Sequence, residues 1–354
     1  NLSVAVLTGS TKEKERKVIL NQLIKGEINI LIGTHALIEK RVEFMRLGLV
    51  IIDEQHKFGV AQRAKLWSKK KEFYPHVLVM TATPIPRTLA LTLYGDLDVS
   101  VIDELPLGRK EIITSHRFDN SRLKVFNFIK ETIKIGGQVY VVYPLIEESE
   151  KKDHKDLMDG YESLKRYFPE TQIGVLHGRM KSVNKEFEMK RFADGKSKIL
   201  VSTTVIEVGV DVPNASVIII ESAERFGLSQ LHQLRGRVGR GVVQSYCILM
   251  TKYNLSNESK ERVKAMVDTS DGFKIANVDL KMRGPGNMMG TKQSGLLELR
   301  FANLSEDYNA IKQTRDVVID LINKDPGLSD KKNENIVNHL KRNIKSNINW
   351  SRVS

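Results

Sequence analysis

The stretch Leu49-Val50-Ile51-Ile52-Asp53-Glu54-Gln55-His56 decides the fold of this chain. Its four leading apolar residues indicate a short strand that is buried on both faces, which is typical of a parallel sheet. Two carboxylates follow the strand directly. Because ligands of α/β proteins bind at the carboxyl ends of parallel strands, we predict that Asp53 and Glu54 lie at a ligand-binding edge of a sheet.

An adjacent acid pair at such an edge suits nucleotide hydrolysis. One carboxylate can hold Mg²⁺ through oxygen, and its neighbour can position or deprotonate the water that attacks a γ-phosphate. An isolated Asp-Glu pair is more often a solvated strand end, so this prediction depends on the motifs in the rest of the chain.

Strand-like apolar runs recur along the chain with helical or loop segments between them, and this alternation predicts parallel α/β sheets. A segment with Pro and Gly divides two such sets, as an interdomain linker does. Past residue 255 the strand signals stop and the pattern becomes helical. The predicted order is an α/β domain at residues 1–105, the linker at 106–116, a second α/β domain at 117–253, a helical hairpin and translocation loop at 254–300, and a helical C-terminal segment at 301–354.

The first of these domains is expected to be incomplete. A phosphate-binding loop of the form G-x-x-x-x-G-K-[ST] should follow the first strand of such a domain, and the pattern does not occur in this sequence. The start of the sequence therefore has the form of a truncation.

Two segments are predicted to be loops, namely the charged residues 147–159 and the Gly-rich residues 280–295. Strands are predicted at residues 2–7, 28–33, 49–52, 77–80, 138–143, 172–176, 199–202, 216–221 and 245–250.

Composition narrows the class of protein. The chain has 354 residues with 41% hydrophobic and 28% charged residues, which is typical of a soluble globular protein. A formal net charge of +13 favours a polyanionic partner such as nucleic acid. No apolar run has the length of a membrane span and the N-terminus has no signal-peptide pattern, so a cytoplasmic location is expected. Cys247 is the single cysteine, which excludes an internal disulfide and argues against a zinc site.

Two threonines, Thr81 and Thr83, follow the last predicted strand of the first domain. Hydroxyls at this edge can hydrogen-bond both the acid pair and a neighbouring domain, which would relay the state of the nucleotide. A proline-rich turn is an equally good interpretation of the same residues. His56, next to the acid pair, is interpreted as a further residue that couples the nucleotide site to the partner domain.

The second domain contains a run in which arginines alternate with glycines, at residues 233–240. Gln233 and Arg237 are one helical turn apart, and we predict that they share one face of a short helix. Guanidinium groups that face a γ-phosphate across a cleft stabilise charge in the transition state, as arginine fingers do. A plain basic helix is the alternative, but it does not need glycines that let backbones approach closely.

A second polar run, at residues 202–213, follows another predicted strand. The hydroxyls of Thr203 and Thr204 suit contacts with nucleic-acid phosphates, which position a backbone without reading its sequence. Asp211 can contact a ribose or the arginines of the previous run. For Glu207 and Asp211, a structural role as capping groups is as well supported as a catalytic one.

In their order, these motifs resemble motifs II, III, V and VI of superfamily 2 helicases. The resemblance implies two RecA-like domains, with ATP as substrate and Mg²⁺ as cofactor. It implies that Asp53 holds Mg²⁺, that Glu54 activates water, and that Arg237 and Arg240 are the arginine fingers, with Gln233 beside them. Gly209 and Asp211 match motif V and would contact the nucleotide, and Thr34 and His35 match motif Ib, which touches the nucleic-acid backbone.

A closer resemblance is to the RecG family of bacterial branched-DNA helicases, and it runs over nearly the whole chain. It is carried by residues 53–63, by residues 80–90 and by the loop from Arg283 to Gln293 and beyond. In that family the loop couples ATP turnover to translocation on duplex DNA, so Arg283 and Gln293 are expected to bind nucleic acid. The resemblance also implies forks and Holliday junctions as partners, together with single-stranded DNA-binding protein, and a monomeric state.

Two other functions are compatible with the same motifs. One is an Mfd-like translocase that acts on RNA polymerase, although Mfd-like proteins usually carry a second Glu where Gln55 stands. The other is a nucleic-acid-binding protein without enzymatic activity, which the missing phosphate-binding loop would favour. RecG-family proteins carry that loop and a wedge domain ahead of the motifs in this sequence, so the chain alone is expected to be inactive.

Overall fold

A computed structural model of the chain describes most of its residues and divides it into two compact units. The first unit comprises residues 1–82, 94–98 and 313–354, and the second comprises residues 83–93 and 99–312. The described residues are 2–54, 75–82, 86, 98–106, 108–144, 150–203, 211–288, 302–303 and 307–343, with the backbone alone at 150–155, 283–288 and 343.

The first unit contains two pairs of parallel strands. Strand β1 (Val4–Leu7) pairs with β2 (Ile30–Gly33), and helix α1 (Glu13–Ile24) connects them. Strand β3 (Leu49–Ile52) pairs with β4 (His76–Val79). These bounds confirm the four strands that were predicted for this part of the chain. The prediction that β3 is buried on both faces is wrong, because Leu49 and Ile51 alternate with Ile52 along the strand and are 56% and 57% exposed.

Buried residues hold the strands of the first unit in place. Ile19 and Leu23 lie one turn apart on α1 and are buried against Leu7 of β1. Ile52, the last residue of β3, is 4% exposed, and its carbonyl accepts a 2.8 Å hydrogen bond from the backbone N–H of Met80. Pairing with β4 therefore continues up to the residue before the acids.

The second unit is built on a six-stranded parallel sheet with the order β5-β10-β9-β6-β8-β7. Strands β6, β8 and β9 are buried along their whole length, as expected for continuous apolar runs that are covered by helices on both faces. The strands are β5 (Ile113–Phe118), β6 (Gln138–Val142), β7 (Ile173–Leu176), β8 (Ile199–Ser202), β9 (Ala215–Ile220) and β10 (Tyr246–Thr251).

Helices cover both faces of this sheet. One face packs around Val125, Ile129 and Leu157, and the other packs around Tyr140, Phe192 and the helix after β9. The helices of this unit are α2 (Arg122–Lys134), α3 (Glu150–Tyr167), α4 (Ser182–Ala193), α5 (Leu228–Arg235), α6 (Asn257–Asp268) and α7 (Gly272–Met288).

The prediction of a charged loop at residues 147–159 is wrong for its greater part, because α3 begins at Glu150. Leu157 and Leu164 are 0% and 2% exposed and lie two turns apart, so they place one face of α3 in the core. Most charges of this segment precede Leu157 and belong to the first two turns of α3, so they are carried by a helix rather than a loop.

The prediction of a loop from residue 280 is also wrong at its start, because α7 continues through Gly284 and Pro285 to Met288. Ile275 and Leu280 on the preceding turns are each 1% exposed. Packing of those turns stabilises the helix, and tertiary contacts of this kind override weak helix propensity. Residues 289–295 lie outside the described part.

The predicted linker at 106–116 is shorter in the structure, because β5 starts at Ile113 and is an edge strand of the second sheet.

Cys247 is buried in β10, and burial raises the pKa of its thiol to about 12. Helices α8 (Tyr308–Lys324) and α9 (Glu334–Asn343) complete the described chain. Within the described ranges, no helix is both long and apolar enough to cross a membrane.

Candidate nucleotide-hydrolysis site

The acid pair lies directly after β3, at its carboxyl end. Asp53 is exposed and Glu54 is partly buried, and the backbone N–H of Glu54 donates to Oδ1 of Asp53 over 2.9 Å. Glu54 has a left-handed backbone with a φ of +49°. Few residues other than glycine adopt this conformation, and those that do concentrate at functional sites. The outlier supports a functional role for the pair.

Glu54 contacts the segment that follows the neighbouring strand. The backbone N–H of Ala82 donates to its Oε2 atom over 3.4 Å. Thr81, one of the predicted coupling residues, is exposed next to this contact. The other two, His56 and Thr83, lie outside the described residues. Parallel pairing of β3 with β4 thus brings the acid pair and the threonine motif to the same edge.

The acid pair fits the metal that the motifs imply. Mg²⁺ prefers oxygen ligands and is usually held in nucleotide-hydrolysing sites by one or two carboxylates, together with phosphate oxygens and waters. The exposed carboxylate of Asp53 can supply such a ligand. Across the described ranges, no cluster of three or more His, Cys, Asp or Glu residues is arranged to hold a metal ion.

The arginine run forms a turn at the end of α5, which we call the arginine loop (residues 236–240). Gln233 lies half-buried on the last turn of α5, but the helix ends at Arg235 and Arg237 is beyond it. The prediction that Gln233 and Arg237 share one helix is therefore wrong, because Gly236 ends the helix. Val238 is fully buried and fixes the middle of the loop.

The arginine loop meets the start of the segment before β9. Nη1 of Arg240 lies 3.6 Å from Oδ1 of Asp211, and both side chains are partly exposed. Burial raises the pKa of Tyr140 to about 12, and the nearby guanidinium groups of Arg240 and Arg237 oppose that shift. Two finger candidates and Asp211 therefore gather near one buried phenol. Gly209, the other predicted nucleotide contact of this motif, lies outside the described residues.

Arg235, in the predicted arginine run, has a structural role that the sequence did not reveal. It is 3% exposed, and its guanidinium donates to the carbonyls of Met266, Thr269 and Ser270 over 2.9–3.1 Å. It also donates to Nδ1 of His232, and burial together with Arg235 lowers the pKa of that histidine to about 4. Arg235 therefore ties α5 to the turn between α6 and α7.

The predicted nucleic-acid contacts fall into three groups. Thr34 and His35 are exposed at the start of a short 3₁₀ helix (His35–Ile38) that follows β2. Thr203 is only 2% exposed, so its hydroxyl lies in the protein interior at the end of β8. Arg283 belongs to α7, with its side chain outside the description, and Thr204 and Gln293 lie outside the described residues.

The parallel sheets, the acid pair and the arginine loop define a helicase core of superfamily 2. Comparison with protein families agrees, because a DEAD/DEAH box helicase family matches residues 1–92. A helicase conserved C-terminal domain matches residues 123–242. The family "ATP-dependent DNA helicase RecG, domain 3, C-terminal" matches residues 269–354.

The chain belongs to the RecG family. It is 54% identical to the ATP-dependent DNA helicase RecG of Synechocystis sp. over 92% of this chain and 39% of that protein. It is 50% identical to the RecG of Bacillus subtilis over 92% of this chain and 47% of that protein. A solved structure of RecG bound to a three-way DNA junction has a TM-score of 0.65 and 46% identity, and covers 88% of this chain and 40% of that one. The chain thus spans less than half the length of these relatives.

Proposed function

We propose that the natural full-length protein is an ATP-dependent DNA helicase that translocates on branched DNA and remodels forks and Holliday junctions. The observation that carries the proposal is the acid pair at the end of β3, with Glu54 in a left-handed conformation. Membership of the RecG family supports it, and one relative has been solved on a three-way DNA junction.

In this proposal the acid pair and the arginine loop share the work of hydrolysis. Asp53 holds Mg²⁺, which when bound neutralises charge on the phosphate oxygens. Glu54 orients the attacking water and accepts its proton. Arg237 and Arg240 stabilise the charge that develops in the transition state, a contribution of about 10³- to 10⁵-fold in known nucleotide hydrolases.

The same proposal assigns the nucleic-acid side of the reaction. Exposed Thr34 and His35 contact the DNA backbone, and Arg283 and Gln293 couple hydrolysis to movement along the duplex. The net charge of +13 supports binding to phosphates, and such binding weakens steeply with salt. From the family resemblance we also propose a monomer in the cytoplasm that associates with single-stranded DNA-binding protein.

The decisive experiment is Glu54→Gln in the natural full-length protein, with exposed Glu43→Gln as the matched control. The amide keeps the size of the side chain but cannot accept a proton. We expect kcat for ATP hydrolysis on forked DNA to fall by about 10²- to 10⁴-fold, while fork affinity changes less than about twofold. An unchanged ATPase rate in Glu54→Gln would overturn the role of Glu54.

A second measurement separates this function from its alternatives. ATP hydrolysis should be stimulated more by forked DNA than by linear duplex of equal length. Equal stimulation by both substrates would favour an Mfd-like translocase. A full-length protein that hydrolyses no ATP on either substrate would instead be a nucleic-acid-binding protein without enzymatic activity.

A further inference from the structure

Arg109, in the segment before β5, contacts the arginine loop. Its Nε atom donates to the carbonyl of Gly239 over 2.5 Å, which joins two residues 130 positions apart in the sequence. Hydrogen bonds from a guanidinium are about twice as strong as those between neutral groups. The half-buried side chain of Arg109 therefore holds the peptide group that links Gly239 to Arg240.

A tight turn directs Arg109 toward this contact. The backbone N–H of Arg109 donates to the carbonyl of Pro106 over 3.1 Å, and Gly108 has a φ of +82°. A glycine with positive φ at the third position is the requirement of a type II turn. The Pro and Gly of the predicted linker thus fix the direction from which the Arg109 side chain leaves the backbone.

The same segment contacts Gly239 at a second point. Gly239 has a φ of +76°, and a Cβ atom placed there would lie 2.8 Å from Cγ1 of Ile112. Ile112 in turn packs against the buried cluster that contains Val238. Gly239 is therefore held through its carbonyl by Arg109 and at its α-carbon by Ile112.

We propose that Arg109 is a positioning residue for ATP hydrolysis, which acts by holding the arginine loop so that Arg237 and Arg240 stay in place. The side chain of Arg240 has weak anchors of its own, namely Asp211 at 3.6 Å and the Gly236 carbonyl at 3.4 Å. An arginine finger stabilises charge only where it is pre-organised, and a displacement of about 1 Å costs up to about 100-fold in rate. This inference rests on the proposed function.

The test compares two substitutions of similar length in the full-length protein. Arg109→Gln keeps an N–H donor at the position of Nε, whereas Arg109→Met keeps the apolar stem and removes the donor. We expect Arg109→Met to lower kcat by about 10- to 100-fold with KM for ATP changed less than about threefold. Arg109→Gln should retain most of the wild-type kcat, because it keeps the donor. The matched control is Arg117→Met, at an exposed arginine of β5.

A double-mutant cycle with Arg240→Ala separates positioning from a general loss of stability. If Arg109 acts through the loop, Arg109→Met should cost markedly less in the Arg240→Ala background than in the wild type, because only Arg237 is then left to be displaced. Losses that multiply would overturn the inference, as would equal rates for the Gln and Met variants. A wild-type rate in Arg109→Met would overturn it as well.

Hydrogen exchange distinguishes failure of this inference from failure of the proposed function. Arg109→Met should raise the exchange rate of the amides at residues 236–241, whatever reaction the protein performs. If Glu54→Gln and Arg240→Ala leave ATP hydrolysis unchanged, the proposed function fails and Arg109 has no role in it. If those two variants are inactive but the amides at residues 236–241 exchange at the wild-type rate in Arg109→Met, the anchoring role of Arg109 is refuted and the proposed function stands.

Discussion

Replacement of Arg235 by Met should release the turn between α6 and α7 from α5. Three backbone carbonyls, those of Met266, Thr269 and Ser270, lose their guanidinium donor in this variant. Methionine fills much of the same volume, so the substitution removes hydrogen bonds with little change in packing. Arg235 is otherwise enclosed, with only 3% of its surface exposed.

The expected size of the effect follows from these contacts. Each hydrogen bond contributes about 1–1.5 kcal/mol net, and buried carbonyls that lose their donor cost more. Three of them give about 3–5 kcal/mol, which is a large share of the stability of a typical domain. Burial lowers the pKa of Arg235, which shows that it is costly to keep the guanidinium out of water. This cost offsets part of the stabilisation that the three hydrogen bonds provide.

Hydrogen exchange measured by mass spectrometry can read this loss locally. Amides at residues 266–274 should exchange about 100-fold faster or more in Arg235→Met, since about 1.4 kcal/mol corresponds to a factor of ten. Exposed Arg117→Met serves as the control and should change nothing there. A difference below about fivefold at residues 266–274 would refute the reasoning that Arg235 holds this turn.

Four further changes should be measurable. The pKa of His232 is about 4 in the folded chain against an ordinary 6.5, so on acidification the unfolded chain binds a proton before the folded chain does. The free energy of unfolding should therefore fall by up to about 3 kcal/mol between pH 7 and pH 4. In His232→Gln, the urea midpoint of unfolding should depend less on pH. Gly160→Ala should lower the melting temperature despite the better helix propensity of Ala, because the new methyl would overlap the Tyr143 hydroxyl. Cys247 should react with a thiol reagent only on unfolding, because burial keeps its pKa near 12. Arg283→Ala should reduce DNA unwinding more than ATP hydrolysis in a paired helicase and ATPase assay, and equal losses of both would indicate a folding role.

Much of the secondary structure follows from local patterns in the sequence. The strand at Leu49–Ile52 and the strand at Ile199–Ser202 have the predicted bounds, because each is a continuous apolar run that ends at a polar residue. The acid pair at the end of the first run was placed by the same pattern. Two segments were predicted less well, for different reasons. The charges at the start of α3 were interpreted as a loop although most of its residues favour a helix, and the end of α7 is helical in spite of the weak propensity of Gly and Pro.

The sequence by itself determined the two α/β units, the acid pair at Asp53 and Glu54, and the arginine run near Arg237, because each depends on residues that are adjacent along the chain. Only the tertiary structure decided that Arg235 binds carbonyls about thirty residues away and that Arg109 binds Gly239 across 130 residues. Contacts between distant residues depend on how sheets and helices pack. No local periodicity encodes that packing, so these partners became visible only in the folded chain.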